Sequence, residues 1–195
     1  LNALPDRAGA PSASRYPAIA PYESGTLEVG GGHRIYWEAC GNPQGTPALF
    51  LHGGPGGGCS PGDRRWFDPA RYRIILFDQR GCGRSAPHGS LHDNTTQHLI
   101  GDIEMLRAYC GVDRWVVMGG SWGATLALAY AQAFPLRVRA MVLRGVFMAR
   151  RAELRWLYEA GGAAQLFPDA WEAFVAPVTP AQRNDLIGAY HTLLT

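Results

Sequence analysis

Short, nearly uninterrupted apolar runs recur at residues 48–51, 72–77, 115–118 and 140–146. Runs this apolar suit strands buried on both faces, as in a parallel sheet. Helical patterns lie between them. Leu99, Ile103, Leu106 and Cys110 stand at i, i+4, i+7 and i+11, one apolar face, with cap candidates at 94–96 and a stop at Gly111. Residues 122–134 are apolar nearly all round, as in a buried helix, and Pro135 ends them. Upstream, β-formers at 26–29 and 33–40 flank Gly30, Gly31 and Gly32, which predicts an opening hairpin. The alternation from 48 to 146 predicts a doubly wound α/β sheet, mostly parallel, with helices on both faces. After Val146 only helix-like stretches follow, at 153–160, 169–175 and 181–194, with Pro168 and Pro180 near the starts of the last two. They read as the start of a helical insertion after which such a sheet resumes. Residues 1–21, rich in Ala and Pro and without an apolar signal segment, read as a flexible tail, and 22–148 as the core.

Composition narrows the function classes. The chain has 195 residues, 47% hydrophobic and 17% charged, a globular balance rather than a disordered one. Its length suits one domain plus an appendage. The 18 basic and 16 acidic residues leave a net charge of +2, too weak a field to suggest a phosphate backbone or anionic lipid as partner. The longest apolar stretch, around 124–131, is far below the roughly 18 residues of a membrane span, so a soluble protein is expected. Cys40, Cys59, Cys82 and Cys110 form no CxxC pair, which argues against a zinc ribbon or redox motif and for free thiols in a reducing compartment. Cys59 and Cys82, in loops, are expected to be open to a bulky thiol reagent.

Gly119-Gly120-Ser121-Trp122-Gly123 fits G-x-S-x-G between a buried strand and a buried helix, the context of a nucleophile elbow. Small neighbours let the chain turn sharply there and hold the Ser121 hydroxyl above the sheet, near a helix N-terminus. The run His52-Gly53-Gly54-Pro55-Gly56-Gly57-Gly58 directly follows the strand 48–51. In this arrangement such a loop gives one backbone N–H to an oxyanion hole, and the residue after the nucleophile, Trp122, gives the other. A phosphate loop is the rival reading, but no Gly-Lys-Ser/Thr follows.

Two further patterns are decoys. Gly81 to Ala86 matches G-x-G-x-x-A, yet Pro87 and a polar run follow instead of a helix, so a pyrophosphate would have no helix N-terminus. Asp78-Gln79-Arg80 reads instead as a charged turn that pins this loop beneath the site. His88, His92, Asp93 and His98 follow Pro87 in a loop with Gly89 that offers no helical i, i+4 face, and there is no HExxH, so they read as surface residues and no metal is expected.

The motifs HGGPGGG, DQRGCGRS and GGSWG with LALAYA, then LRG-x-F, W-x-Y-x-x-G, FPDAW and AYH-x-L-L, occur in this order. Together they resemble the prolyl aminopeptidases (proline iminopeptidases) of the α/β-hydrolase superfamily, from about Pro21 to the last residue. The resemblance implies an α/β-hydrolase fold with residues 149–195 as the beginning of a helical cap. It implies a cytoplasmic serine exopeptidase that releases N-terminal proline from peptides through an acyl-enzyme, with no cofactor. Ser121 would be the nucleophile, Gly54 and Trp122 the oxyanion amides, and Arg144 and Phe147 residues at the edge of the substrate pocket. Leu157, where the family often has an aromatic residue before Tyr158, departs from the pattern and bears on the shape of that pocket. An esterase or carbon–carbon bond hydrolase on the same scaffold is the alternative enzyme, and a non-catalytic remnant the alternative of another class.

A serine nucleophile of this fold takes its acid and then its histidine later in the chain. Only Asp169, Asp185 and His191 follow Ser121 as nominees, and all three fall in the helical stretch, without a strand end to deliver them; they read as solvated or core-edge residues. The catalytic acid and base are therefore expected beyond Thr195, in about three further βα units or on the order of 90 residues, as are the acidic groups for the substrate's amino terminus. The start at Leu1 rather than Met fits a chain that is not full length.

Overall fold

A computed structural model describes residues 15–194 of the chain. They divide into two compact units, one up to Val146 and one from Phe147 onward.

The first unit is built on a six-stranded sheet. Its strands are β1 (Pro21–Glu28), β2 (Arg34–Gly41), β3 (Thr46–Leu51), β4 (Tyr72–Phe77), β5 (Trp115–Gly120) and β6 (Val138–Arg144), in the spatial order β1-β2-β4-β3-β5-β6. β1 and β2 form the antiparallel entry, β2 pairs antiparallel with β4, and β4, β3, β5 and β6 run parallel. The three central strands carry the apolar runs at full burial: Leu49, Leu51, Ile74, Ile75, Leu76 and Val117 have no exposed surface. Helix α1 (Thr96–Tyr109) buries the predicted face, Leu99, Ile103 and Leu106, and Thr95 caps it by accepting from the His98 N–H. Helix α2 (Trp122–Ala133) buries Ala124 and packs Leu126, Ala127 and Tyr130 into the same core.

The ends of the sheet depart from the sequence reading. β1 starts at Pro21 rather than near Thr26, because an edge strand paired on one side has no need of the apolar alternation that marks buried ones. β6 spans Val138–Arg144 and is largely exposed, with Met141 at 39% and Val142 at 47%, so its apolar run does not mark a strand covered on both faces. Most of the expected tail lies outside the described residues. Residues 15–20, however, are tied down rather than loose. Tyr16 exchanges backbone and side-chain bonds with Arg65, the Ile19 carbonyl accepts from Arg64, and the Arg15 guanidinium lies 4.4 Å over the Trp66 ring.

Register sets the site. Ala48 to Leu51 align with Val116 to Gly119, Phe50 with Leu76, and Gly120 with Arg144. The chain segments after β3, β4, β5 and β6 thus leave the sheet side by side at its carboxyl edge, where ligands of open α/β sheets bind.

The second unit is helical: α3 (Arg151–Tyr158), α4 (Ala163–Leu166), α5 (Pro168–Val175) and α6 (Leu186–Leu194). Val175, Val178, Leu186 and Ala189 form its small core, and Phe174 stacks on Tyr190 at 4.8 Å between ring centroids. The expected helix over 181–194 is shorter. Residues Pro180–Gln182 form a 3-10 turn, and α6 begins only after Asp185, whose carboxylate caps it by accepting from the Gly188 N–H.

Candidate active site

Ser121 occupies the turn between β5 and α2 with φ 55° and ψ −123°, a conformation that costs a non-glycine residue on the order of 1–3 kcal/mol. Its N–H donates to the Arg144 carbonyl, and its own carbonyl accepts from Ala124 and Thr125, so β6 and α2 together hold the strained backbone. The turn can be this sharp because two glycines remove its side chains. A Cβ on Gly119 would stand 2.1 Å from the Gly123 carbonyl, and one on Gly123 would stand 2.1 Å from the Leu51 carbonyl. Ser121 is exposed and sits at the start of α2, where the Trp122 N–H leads the helix with no preceding turn to receive it.

The loop after β3 lies against this turn. A Cβ on Gly53 would stand 3.4 Å from the Ser121 Cβ and 3.0 Å from the Gly120 carbonyl, so any side chain there would press the turn by a few tenths of an ångström. Gly54 follows at φ 123°. A cavity of about 240 Å³ opens here; His52, Gly53, Trp66, Ser121 and Arg144 are on its wall, with Asp63 and Arg15 at its side. The Arg144 guanidinium stands 5.7 Å from the Trp66 ring centre. Of the residues singled out by sequence, Ser121, Trp122, Gly54 and Arg144 belong to this unit, while Phe147 opens the helical one.

His52 is buried and committed. Its Nε2 accepts from the Gln79 N–H at 3.0 Å, and its Nδ1 faces the Gly53 carbonyl at 2.9 Å and the Gly58 N–H at 3.1 Å. Burial pushes its pKa down, with the Gly53 hydrogen bond opposing, and the neutral ring serves as a brace for the loop. Among the described residues of this unit it is the one histidine on the wall of the Ser121 cavity.

The turn after β4 supports both elements, as its charged sequence predicts. The Asp78 carboxylate, fully buried, accepts from the Cys59 N–H at 2.7 Å and from the Arg84 N–H and Nε at 2.9 and 2.8 Å. Burial alone would raise its pKa; the Arg84 side chain and the two backbone donors outweigh that and hold it below the usual carboxylate range. Arg84 and Arg64 also converge on buried Glu38. Arg80 makes a two-pronged pair with buried Asp102 of α1, both contacts at 2.7 Å. Gln79 links His52 to the Trp122 indole. The sequence marked this turn as a support, but nothing local in it identified the partners Glu38, Asp102 and Trp122.

The thiols correct an expectation. Cys82 is buried and its Sγ donates to the Arg80 carbonyl, while the Cys59 Sγ donates to the Phe77 carbonyl. Burial raises the pKa of both; with Cys82 buried and Cys59 half-buried, neither presents a fully open thiol. His92, on the exposed loop before α1, and His98, in the first turn of α1, both approach the Asp93 carboxylate, at 3.4 and 3.9 Å.

The chain is similar to the proline iminopeptidase of Xylella fastidiosa, with 56% identity over 180 residues that cover 92% of this chain and 57% of the relative. It is also 53% identical to the proline iminopeptidase of Arabidopsis thaliana, over 92% of this chain and 47% of that one. The chain therefore spans about half the length of the curated relatives it matches. Among solved structures it resembles the proline iminopeptidase-related protein of Thermus thermophilus, with a TM-score of 0.55, 32% identity and coverage of 62% of this chain and 43% of that one. The epoxide hydrolase VrEH1 of Vigna radiata matches with a TM-score of 0.53 and 26% identity over 78% of this chain and 54% of the other. The family model of the alpha/beta hydrolase fold matches residues 46–195. With a strained serine between β5 and α2, a glycine loop pressed against it and a parallel sheet that delivers both, the chain belongs to the alpha/beta hydrolase fold family.

Proposed function

We propose that the protein is a serine exopeptidase that releases N-terminal proline from peptides, with Ser121 as its nucleophile. The observation that carries this reading is the left-handed, strained backbone of Ser121 at the start of α2, with the glycine loop at Gly53 running close beside it. The similarity to proline iminopeptidases at 53–57% identity supports the substrate class. In this reading the Ser121 Oγ attacks the proline carbonyl carbon and gives its proton to a base. The N–H groups of Gly54 and Trp122 receive the oxyanion. The C–N bond then breaks, the proton passes to the leaving amine, and water hydrolyses the acyl ester. Arg144 and Phe147 border the substrate, and residues 149–195 begin the cap. His52 is spent as a brace, so the base and its acid come from elsewhere in the polypeptide, after Ser121 in chain order. No cofactor enters the scheme, and the four unpaired thiols suit a cytoplasmic setting.

The test is proline release from proline-naphthylamide by the intact gene product, beside hydrolysis of a simple acyl ester. Ser121→Ala is expected to cut turnover by roughly three or more orders of magnitude with the fold retained. Substantial turnover in that variant, or an enzyme that cleaves the ester and spares the proline substrate, would defeat the reading.

A further inference from the structure

Gln79 is 1% exposed and uses its backbone and side chain together in one direction. Its N–H donates to His52 Nε2, its Nε2 donates to the His52 carbonyl, and its Oε1 accepts from the Trp122 Nε1, each at 3.0 Å. Chemistry fixes the orientation of the amide: an indole N–H can only donate and a carbonyl can only accept, so no flipped arrangement satisfies both. One side chain thus spans from the residue that opens the glycine loop to the residue that follows Ser121.

We propose that Gln79 is a positioning residue that sets the separation of the two oxyanion donors, the N–H groups of Gly54 and Trp122. The proposal rests on the reading of Ser121 as nucleophile. Gln79 touches no reacting atom; it acts through the His52 backbone on one side and the Trp122 indole on the other. The loop has need of such a clamp. Gly53, Gly54, Gly56, Gly57 and Gly58 offer no side chains to pack, and inside it Gly57 N–H to Gly53 carbonyl, at 3.3 Å, is a long bond. The far end is anchored at Cys59 by Asp78 and the near end at His52 by Gln79. Donors to an oxyanion act only when about 2.7–3.1 Å from the place where charge develops. A displacement of about 1 Å can cost roughly 100-fold in rate.

An oxyanion exists in the transition state and not in the bound substrate, so loosening its donors lowers kcat and leaves KM nearly unchanged. The experiment measures kcat and KM of proline-naphthylamide hydrolysis by the intact gene product carrying Gln79→Met, Trp122→Phe, both together, and Gln79→Glu, with Ser121→Ala as reference. Gln79→Met keeps the length of the side chain and removes its hydrogen bonds; a fall in kcat of about 10- to 100-fold with KM within about 2-fold is expected. Trp122→Phe breaks the same clamp from its other end, so the double variant should lose no more than the worse single one. Gln79→Glu can replace the amide only when protonated, so its kcat relative to the parent should rise as pH falls.

Ser121→Ala with turnover intact would sink the nucleophile reading itself. Ser121→Ala dead, with Gln79→Met folded and its kcat unchanged, would overturn the clamp alone. Losses in the two single variants that multiply in the double would also overturn it, since independent effects multiply. Should Gln79→Met fail to fold, Trp122→Phe and the pH profile of Gln79→Glu decide: an unchanged kcat in the first and a flat ratio in the second would both count against the clamp.

Discussion

Replacing Gly123 by alanine places one methyl group where the structure has no room. The added Cβ would stand 2.1 Å from the Leu51 carbonyl oxygen and 2.9 Å from that of His52. Real Cβ atoms do not approach a backbone atom below 3.0 Å, so α2 and the end of β3 would have to separate by at least 0.9 Å, the difference between 3.0 and 2.1. Both obstacles are backbone oxygens, and no rotamer change relieves them. Overpacking of this kind costs about 1–3 kcal/mol, and a backbone obstacle puts the cost in the upper half of that range. At about 2–3 kcal/mol the midpoint of thermal unfolding should fall by roughly 4–12 °C for a chain of this size. Gly101→Ala is the control: Gly101 lies within α1 with nothing near its Cβ position, and the same substitution there should stabilise by about 0.5–1 kcal/mol through helix propensity. The assay is thermal and urea unfolding of both variants beside the parent, followed by circular dichroism. Equal stability of Gly123→Ala and Gly101→Ala would refute the close approach of α2 to β3 on which the geometry of the Ser121 turn depends.

Three other perturbations probe the supports of the site. Neutral, buried His52 has a pKa lowered by burial, so its contribution is complete above the ordinary imidazole value of about 6.5 and is lost as pH falls below it. Urea midpoints at pH 7.5 and 5.5 should therefore fall further for the parent than for His52→Gln; equal losses would count against the brace. Cys82, buried, and Cys59, half-buried, are both raised in pKa and should resist a bulky aromatic disulfide reagent at pH 8 until denaturant is added, and rapid labelling of Cys82 in the native protein would contradict that. Asp102→Asn leaves the Arg80 guanidinium buried without its counter-charge, and urea unfolding should show a loss of about 3–5 kcal/mol, part of it recovered in Arg80→Met/Asp102→Asn; a loss within about 0.5 kcal/mol would show the pair to be dispensable.

What was legible in the sequence is what neighbours along the chain determine. The apolar run at Tyr72–Phe77 is the strand β4 to the residue, and Leu99, Ile103 and Leu106 are buried as their spacing requires. The Ser121 turn was readable because strand, small residues and buried helix stand in one continuous stretch. The Trp122–Gln79 bond joins residues 43 positions apart and the Arg84–Glu38 bond residues 46 apart, and no periodicity encodes such pairs. The same limit explains the thiols: Cys82 sits in a turn by sequence, yet that turn is folded under the site and its Sγ is spent on the Arg80 carbonyl. β6 shows the converse, since an apolar run reports what could be buried and not whether a neighbour covers it.

The charged residues beneath Ser121 are better understood as fixing positions than as adding stability. Replacing a buried ion pair with apolar side chains of like volume is often neutral or even stabilising, so the Arg80–Asp102 and Arg84–Asp78 pairs are poor candidates for what keeps the sheet folded. What they do is directional. Asp78, Gln79 and Arg80 follow one another, and each binds a different element: Asp78 the far end of the glycine loop through Cys59, Gln79 its near end and the start of α2, Arg80 the side of α1 through Asp102. A glycine loop gains close approach to Ser121 by giving up side chains, and with them the packing that would order it. The order has to come from outside the loop, and the turn after β4, next to β3 in the sheet, is placed where three consecutive residues can supply it.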